Sequence, residues 1–253
     1  MFAARYDRAT NSMGPAYSTD LAYIHDAGFS RFAHRAAPEA IGILRARGIR
    51  RGLIIDIGCG AAPLAGPLLA AGYEVIGIDR SPAMIRLARA RAPGVRFRVG
   101  SLTTARLPRC DAAIALNEVI NYVPGGPHSS LGAFFARVYD ALRPGGVFLF
   151  DFMASAEGRT YPAKSRAGHD WAIVVRAAYD RATSVLTRDI TTFRKIGHEH
   201  RTTHETHRVT IYAAADVRRL LAGAGFGVTM RRSYGRLRLL PGDLAVMAQK
   251  PRS

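Results

Sequence analysis

The chain has 253 residues, 48% of them hydrophobic, which is enough for the core of one α/β domain with or without a small insertion. No apolar run reaches the ~20 residues of a membrane span, and no apolar signal-peptide stretch opens the chain. We therefore expect a cytoplasmic protein with no membrane partner. A homodimer is a further expectation that these features do not decide. The formal net charge of +17 raises the question of RNA, but the arginines are spread along the chain rather than clustered, so nucleic acid is disfavoured as a partner.

Residues 1–50 are predicted to form a cap of short helices that carry aromatic and histidine side chains. Over residues 51–152, short apolar runs alternate with segments of helical periodicity. The predicted strands span 53–57, 74–78, 95–99, 111–116 and 147–152, and the predicted helices span about 63–71, 82–91 and 130–142. This alternation is typical of a parallel sheet covered by helices on both faces.

The pattern changes over residues 153–212, where apolar and polar residues alternate as they do in antiparallel strands. We predict an antiparallel β insertion that serves as a substrate lid, with strands over 171–176, 185–193 and 201–212. Residues 213–253 are expected to complete the core sheet. They contain a predicted helix over about 214–223 and strands over about 227–233 and 244–249.

The most informative segment is the apolar run Leu53–Ile57 with Gly58 and Gly60 just after it. The run suits a buried parallel strand, and the glycines let the backbone turn sharply and approach a ligand closely. Asp79 ends the second strand, where an acidic residue accepts hydrogen bonds from ribose hydroxyls in doubly wound folds. A dinucleotide fingerprint needs a third glycine where this chain has Ala61-Ala62-Pro63, so we predict a nucleotide cofactor without a pyrophosphate cradle.

Several predicted strands end in polar residues, which burial alone does not require. In an open α/β sheet, ligands bind at the carboxyl ends of the strands. The ends to inspect are Asp56–Gly60, Asp79 with Arg80, Gly100–Leu102, Leu116–Tyr122 and Asp151 with Phe152. The sequence therefore predicts that the site lies along this edge of the sheet.

Four segments together resemble the class I S-adenosylmethionine-dependent methyltransferases. They are Asp56–Gly60, Gly77–Asp79 with Ser81–Met84, Asp111–Asn117 and Leu142–Gly146, similar to the family's first and second motifs, its fourth strand and the turn before its fifth strand. The resemblance covers about residues 50–152. It implies an α/β fold, a Rossmann-like seven-stranded mostly parallel sheet with helices on both faces, and S-adenosyl-L-methionine as the cofactor, with S-adenosyl-L-homocysteine as its product.

The resemblance also implies the residues that bind the cofactor. They are Asp56, Gly58, Cys59, Gly60, Asp79, Arg80, Met84, Ser101, Leu102, Leu116 and Asn117. Within this set, Gly58 and Gly60 would approach the methionine part and Asp79 would bind the ribose. Met84 would lie against adenine, and Asp56 would orient the loop at the amino-acid end.

Two positions depart from the family pattern. Ser101 stands where an acidic residue is common, so the contact to the adenine edge there is expected to be weaker or made by backbone alone. Ala62 replaces the usual third glycine, which is a modest loss because no pyrophosphate has to approach. Neither departure changes the expected cofactor.

Polar residues follow the fourth strand, where this fold brings cofactor and acceptor together. The resemblance places Glu118, Asn121 and Tyr122 there, and Glu118 is the one carboxylate, able to bind an ammonium or act as a base. The alternative is a set of solvated groups at a helix N-terminus. We predict Glu118, Tyr122 and His200 as catalytic candidates. The segment lacks the Asn-Pro-Pro-Tyr type of signature of nucleobase methylases, which also disfavours nucleic acid.

A run of histidines lies between His198 and His207. Strand periodicity puts His198, His200 and His204 on one face and His207 on the other, so a three-histidine metal site is conceivable. No other feature demands a metal, and we predict none. The favoured interpretation is a polar lid strand with one or two imidazoles at the acceptor pocket. His128, in a loop, has the same two interpretations.

The acceptor pocket is expected between the N-terminal segment and the inserted strands. The predicted substrate-binding residues are Tyr6, Tyr17, Tyr23, Asn121 and Trp171, although each aromatic ring alone would equally fit the core. The predicted function is methyl transfer to nitrogen or oxygen of a small molecule by in-line displacement. The alternatives are RNA or protein methylation with the same cofactor, a nucleotide-binding oxidoreductase, and a binding protein without turnover.

Overall fold

The computed structural model describes residues 17–125, 130–156 and 160–252. The helices are α1 (Thr19–Phe29), α2 (Arg31–Ala46), α3 (Ala65–Ala70), α4 (Pro82–Arg91), α5 (Leu131–Ala141) and α6 (Ala214–Gly223). Among these residues, no helix is both long enough and apolar enough to cross a bilayer.

The strands form three sheets. They are β1 (Gly52–Ile57), β2 (Tyr73–Asp79), β3 (Arg96–Val99), β4 (Cys110–Ala115), β5 (Leu142–Met153), β6 (Lys164–Ala167), β7 (Trp171–Asp180), β8 (Val185–Ile196), β9 (Glu199–Thr210), β10 (Gly227–Arg231), β11 (Ser233–Tyr234), β12 (Leu237–Arg238) and β13 (Asp243–Gln249).

The main sheet has seven strands in the order β10-β13-β5-β4-β1-β2-β3. Strands β1 to β5 are parallel, and β13 runs antiparallel to both of its neighbours. Alternate residues of the strands face opposite layers: Ile54 packs with α2, α3 and α4, while Ile55 packs with α5 and α6. The predicted Rossmann-like, seven-stranded, mostly parallel sheet with helices on both faces is confirmed.

The strand order reverses between β1 and β4, because the chain first moves outward to β3 and then returns to the other side of β1. In doubly wound sheets, this reversal opens a crevice at the carboxyl ends of the strands. The predicted polar strand ends lie along that crevice. The fold therefore fixes where the site must be.

Most elements match their predicted bounds, and the differences have local causes. Helix α3 begins only at Ala65, so Pro67 lies in its first turn, where the missing N–H is not needed. Strand β5 starts at Leu142 rather than near residue 147, because pairing with β4 resumes across a bulge at Cys110. The short strands β6, β11 and β12 were not predicted.

The chain between β5 and α6 adds a four-stranded antiparallel sheet in the order β6-β7-β8-β9. Helix α1 packs on this sheet through Leu21 and Ile24, which contact Ile173 and Ile190. The carboxyl ends of the main-sheet strands form one wall of the crevice, and helix α1 with the added sheet forms the opposite wall. This arrangement positions side chains from very distant parts of the sequence around one space.

Candidate active site

The first cavity lies at the tips of β1, β2, β3 and β4, and all eleven predicted cofactor-binding residues line it. The turn after β1 is held by backbone hydrogen bonds, since the N–H groups of Gly58 and Cys59 donate to the Ile78 carbonyl oxygen (2.7 and 3.1 Å). Asp79 fixes the next part of the turn. Its Oδ2 accepts from the Gly60 N–H (2.9 Å), and its Oδ1 accepts from the Ser81 N–H (2.8 Å).

Gly58 is required at its position for two separate reasons. Its φ is +71°, in the left-handed region that favours glycine. A Cβ added there would lie 2.6 Å from the nearer γ-carbon of Val119. Because Val119 belongs to the segment after β4, Gly58 lets that segment approach the β1 turn closely.

Two buried carboxyl groups face the first cavity. Burial, together with the charge of Asp79, raises the pKa of Asp56 to about 7. Within the described residues, no hydrogen bond reaches the Asp56 carboxyl. Burial also raises the pKa of Asp79, although the two N–H donors from Gly60 and Ser81 partly oppose it. A cationic ligand group next to these carboxyls would favour their ionised forms.

Apolar side chains also line the first cavity. Met84, Leu102, Leu116 and Val119 contribute them, and Ser101 lines the cavity with its hydroxyl hydrogen-bonded to Thr103 (2.9 Å). The lining therefore combines two buried carboxyl groups with several apolar side chains. That combination suits a ligand with a cationic end and a flat aromatic end.

A second cavity of about 540 Å³ adjoins the first, a volume within the range of roughly 300–1,000 Å³ typical of small-molecule sites. The two cavities share five lining residues, which are Tyr17, His25, Phe29, Asn117 and Tyr122. The second cavity is lined by three cationic side chains, Lys164, Arg166 and Arg188, against a single carboxylate, Glu118. Its electrostatic character is therefore positive.

Asn117 and Glu118 lie at the boundary between the two cavities, and both have an unusual backbone conformation. Their φ angles are +74° and +61°, and such conformations cost energy for residues other than glycine. Buried Asp151 holds the turn by accepting from the N–H of Asn117 (2.9 Å) and of Glu118 (2.6 Å), and from the Tyr234 hydroxyl (3.0 Å). Burial raises the pKa of Asp151 to about 7 against these three donors.

Glu118 is not a free carboxylate. Its Oε2 lies 2.9 Å from a terminal guanidinium nitrogen of Arg188, and both side chains are mostly buried. The pair keeps Glu118 at the wall of the second cavity. The predicted role of Glu118 as a base or ammonium ligand is therefore less favoured by the geometry than a role in holding Arg188 in place.

Tyr122 instead contacts a chain of polar groups. Its hydroxyl lies 3.3 Å from the Tyr17 hydroxyl and 3.3 Å from His207 Nδ1, and His207 Nε2 lies 3.0 Å from Glu205 Oε2. Glu205 also accepts from the backbone N–H groups of Tyr17 and Ser18 (both 2.8 Å). Helix α1 is thereby attached to β9 directly at the two cavities.

The structure does not bring four of the predicted residues to either cavity. Asn121 is fully buried, with its amide bonded to the backbone of Met153 and Thr210. Tyr23 donates to Asp170 and stacks under Arg194.

Trp171 fills the space beside Gly28 and Gly168, where its indole takes the room that a Cβ would occupy. His200 is exposed on β9 beyond both cavities. Tyr6 and His128 lie outside the described residues.

The histidine run follows the predicted alternation only in part. His200 and His204 share the exposed face of β9 and His207 lies on the buried face, but His198 belongs to the turn before the strand. In the described part of the chain, no group of three or more potential ligand side chains is placed to hold a metal ion.

Three residues of the site were missed by the sequence analysis: Arg188, Glu205 and Tyr234. Each becomes part of the site only through long-range pairing. Arg188 lies opposite His207 in the β8–β9 register, and Tyr234 reaches Asp151 from the unpredicted β11. No local motif identifies them, although alternation along β9 does place Glu205 and His207 on the same face.

Comparison with known proteins gives a consistent result. Residues 54–146 match the family model described as a methyltransferase domain. Trans-aconitate 2-methyltransferase of Methylobacterium radiotolerans is 35% identical over 129 residues, which are 49% of this chain and 47% of that protein. The chain thus spans about half the length of that relative.

Two further similarities cover more of the chain. A ubiquinone biosynthesis O-methyltransferase of Methylobacterium nodulans is 31% identical over 175 residues, which are 58% of this chain and 68% of that protein. The structure of an S-adenosylmethionine-bound amino pentose methyltransferase from Micromonospora echinaspora superposes with a TM-score of 0.73 at 21% identity, covering 90% of this chain and 96% of that one.

Proposed function

Because the chain belongs to the class I S-adenosylmethionine-dependent methyltransferases, we propose that it transfers a methyl group to nitrogen or oxygen of a small molecule that carries an anionic group. The observation that carries this proposal is the pair of adjoining cavities. One has the residues for the cofactor, the other has a positively charged lining, and Tyr17, Asn117 and Tyr122 line both.

The residues of the first cavity fit S-adenosylmethionine. Asp56 is a buried carboxyl with no protein partner in the described residues, as a cationic amino-acid end requires. Asp79 is positioned to accept from ribose hydroxyls, and Met84 with Leu102 forms a slot for adenine. When bound, the cofactor supplies a methyl group on a positively charged sulfur, whose electron pair remains on sulfur when the carbon bond breaks.

The protein's own contribution is positioning and exclusion of water. Helix α1 and the antiparallel sheet form walls of the second cavity, so an acceptor bound there would lose part of its contact with bulk solvent. Tyr17, Asn117 and Tyr122 are placed to align the nucleophile with the first cavity. Holding two reactants in near-attack geometry accounts for a large part of catalysis when the leaving group is good.

Charge narrows the acceptor class. Lys164, Arg166 and Arg188 outnumber the single carboxylate in the second cavity, and Glu118 already neutralises Arg188. Lys164 and Arg166 are therefore left to attract an anionic substituent. The relatives are named for methyl transfer to trans-aconitate, for O-methyl transfer in ubiquinone biosynthesis and for methyl transfer to an amino pentose, and these names suggest different acceptor atoms.

The test incubates the protein with S-adenosylmethionine and each member of a panel of acceptors. Turnover is measured as the release of S-adenosylhomocysteine, and the product is identified by its mass. The probes are 3,4-dihydroxybenzoate, 3-amino-3-deoxyglucose and trans-aconitate, with an RNA transcript as the macromolecular arm. We expect turnover of an anionic probe and a several-fold higher KM for it in Lys164→Gln and Arg166→Gln. Lys195→Gln, at the far end of β8, is the matched control.

Two outcomes would contradict the proposal. One is a preference for 3-amino-3-deoxyglucose, which has no anionic group, with KM unchanged in Lys164→Gln and Arg166→Gln. The other is product in the RNA arm alone, with affinity that falls steeply as salt rises.

A further inference from the structure

Four side chains from three separate elements form one continuous chain of hydrogen-bonding groups at the junction of the cavities. It runs from Tyr17 through Tyr122 and His207 to Glu205, with contacts of 3.3, 3.3 and 3.0 Å. His207 is buried, and it lines the second cavity together with both tyrosines. The chain therefore begins where an acceptor would lie and ends inside the protein.

We propose that Tyr122, His207 and Glu205 form a proton relay that takes the proton of the acceptor during methyl transfer. The inference rests on the proposed function and deepens it, because it names the class of acceptor. An acceptor that needs this relay loses a proton from its nucleophilic atom. A hydroxyl loses it as the new bond forms, and an ammonium must lose it before the attack, because only then does its nitrogen have a lone pair. A carboxylate acceptor has no proton to lose.

The hydrogen bonds assign the protons within the relay. Glu205 accepts hydrogen bonds from two backbone N–H groups, of Tyr17 and Ser18, and its Oε2 also lies 3.0 Å from His207 Nε2. Because a carboxylate can only accept, this contact requires the proton of a neutral His207 to be on Nε2. The lone pair of Nδ1 then faces the Tyr122 hydroxyl. Although burial raises the pKa of Glu205, the donors from His207 and Ser18 outweigh it and leave that pKa below its usual value.

The proton balance follows directly. As the nucleophile forms its bond to the methyl carbon and the sulfur–carbon bond breaks, the acceptor proton passes to Tyr122 Oη. The Tyr122 proton passes at the same time to His207 Nδ1, so the tyrosine is neutral before and after. The imidazolium is stabilised by Glu205 and later returns one proton to solvent.

The surroundings of His207 contain groups of both signs. Tyr17 faces it from the segment before α1, and His25 faces it from α1. Tyr122 faces it from the turn after β4, and Arg188 lies opposite it on β8. Burial lowers the pKa of His25 to about 4, so that imidazole stays neutral. The positive charge of Arg188 is paired with Glu118, and Glu205 is hydrogen-bonded to His207 itself.

The decisive experiment measures the tautomer of His207 by long-range proton–nitrogen correlation in protein labelled with 15N-histidine, with and without S-adenosylhomocysteine. His207→Asn identifies the resonance. We expect the Nε2–H tautomer, a shifted Nδ1 resonance in Tyr122→Phe, and loss of the single tautomer in Glu205→Gln. Asp189→Asn, an exposed carboxylate that accepts from Thr206 on the other face of the sheet, should leave the His207 signals unchanged.

The kinetic arm uses the three probes of the acceptor panel. Tyr122→Phe and His207→Asn should lower kcat at least about tenfold for 3,4-dihydroxybenzoate or 3-amino-3-deoxyglucose and remove the acidic limb of the pH profile. A merely structural role would change stability and cofactor affinity but not that limb.

An Nδ1–H tautomer, or a wild-type pH profile in both variants, would overturn the relay, and so would turnover of trans-aconitate alone. Failure to bind S-adenosylhomocysteine would instead contradict the proposed function. The tautomer of His207 in the free protein is a separate result, because it tests the hydrogen bonds of the relay without the cofactor product.

Discussion

The two cavities of the site are built in different ways. The first cavity, which we propose for the cofactor and call the cofactor cavity, is formed by backbone turns at the tips of neighbouring parallel strands. Its residues Gly58, Gly60 and Asp79 lie within about two dozen positions of one another in the sequence. The second cavity, which we propose for the acceptor and call the acceptor cavity, is formed by side chains from α1, the turn after β4, β6, β8 and β9. The first is thus fixed by local sequence and the second by tertiary packing, and the two should respond differently to substitution.

The largest effect is expected at the β1 turn. Gly58→Ala places a Cβ 2.6 Å from Val119 and forces a left-handed φ, which alone costs about 1–2 kcal/mol. We expect cofactor affinity to fall at least about a hundredfold, about 2.7 kcal/mol, by calorimetric titration with S-adenosylhomocysteine. Gly66→Ala is the matched control, because a Cβ there meets nothing within 4 Å. Equal affinities in the two variants would show that the turn does not form the cofactor site.

A second prediction concerns the ion pair of the acceptor cavity. Glu118→Gln leaves the mostly buried Arg188 without its partner and should lower the free energy of unfolding by about 1–3 kcal/mol, measured by urea denaturation. Cofactor affinity should change little, and turnover of the best probe should fall.

The matched control for Glu118→Gln is Asp216→Asn, which breaks the exposed pair with Arg219 and should cost less than about 1 kcal/mol. If Glu118→Gln weakens cofactor binding as strongly as Gly58→Ala does, the separation between the cavities is wrong.

The third prediction uses the pH dependence of stability. In the folded protein the pKa of Asp56 is about 7, above that of the unfolded chain, so the folded state binds the proton more tightly. Stability from this group is therefore full at about pH 4 and decreases as the pH rises towards 7. Asp56→Asn should gain stability relative to wild type over that range, by an amount on the order of a few kcal/mol, in thermal unfolding at several pH values. A difference that is independent of pH would contradict the burial of an unpartnered carboxyl.

The smallest effect is expected at His200, a catalytic candidate from the sequence that lies outside both cavities. Because the side chain is exposed on β9, His200→Ala should change unfolding free energy by no more than about 0.5 kcal/mol. Cofactor affinity and probe turnover should stay at the wild-type values. A clear loss of turnover would show that β9 reaches the site in a way that this structure does not contain.

The same contrast explains what the sequence could predict. Periodicity, Ser81-Pro82 and the glycine turn fixed local conformations, and the order of the parallel strands then brought all eleven predicted cofactor residues to one cavity. Tyr17 and Tyr122 also line both cavities. Tyr23, Trp171 and His200 line neither, because the docking of α1 and the register of β8 with β9 decide which side chains point inward.

Glu118 illustrates the limit of residue chemistry. In the sequence it is the one carboxylate after the fourth strand, yet its partner Arg188 lies 70 residues away on β8. Its left-handed φ depends on Asp151, which lies 33 residues away on β5. Neither interaction has a local signature, so the role of the carboxylate depends on contacts that only the folded chain creates.

Titration calorimetry with S-adenosylhomocysteine on wild type and Asp79→Ala tests the central claim most directly, with Asp216→Asn as the control. We predict one binding site per chain in wild type and in the control. We predict at least about a hundredfold weaker binding in Asp79→Ala, because Asp79 holds the Gly60 turn and lines the first cavity. No binding by wild type, or undiminished binding by Asp79→Ala, would contradict the account.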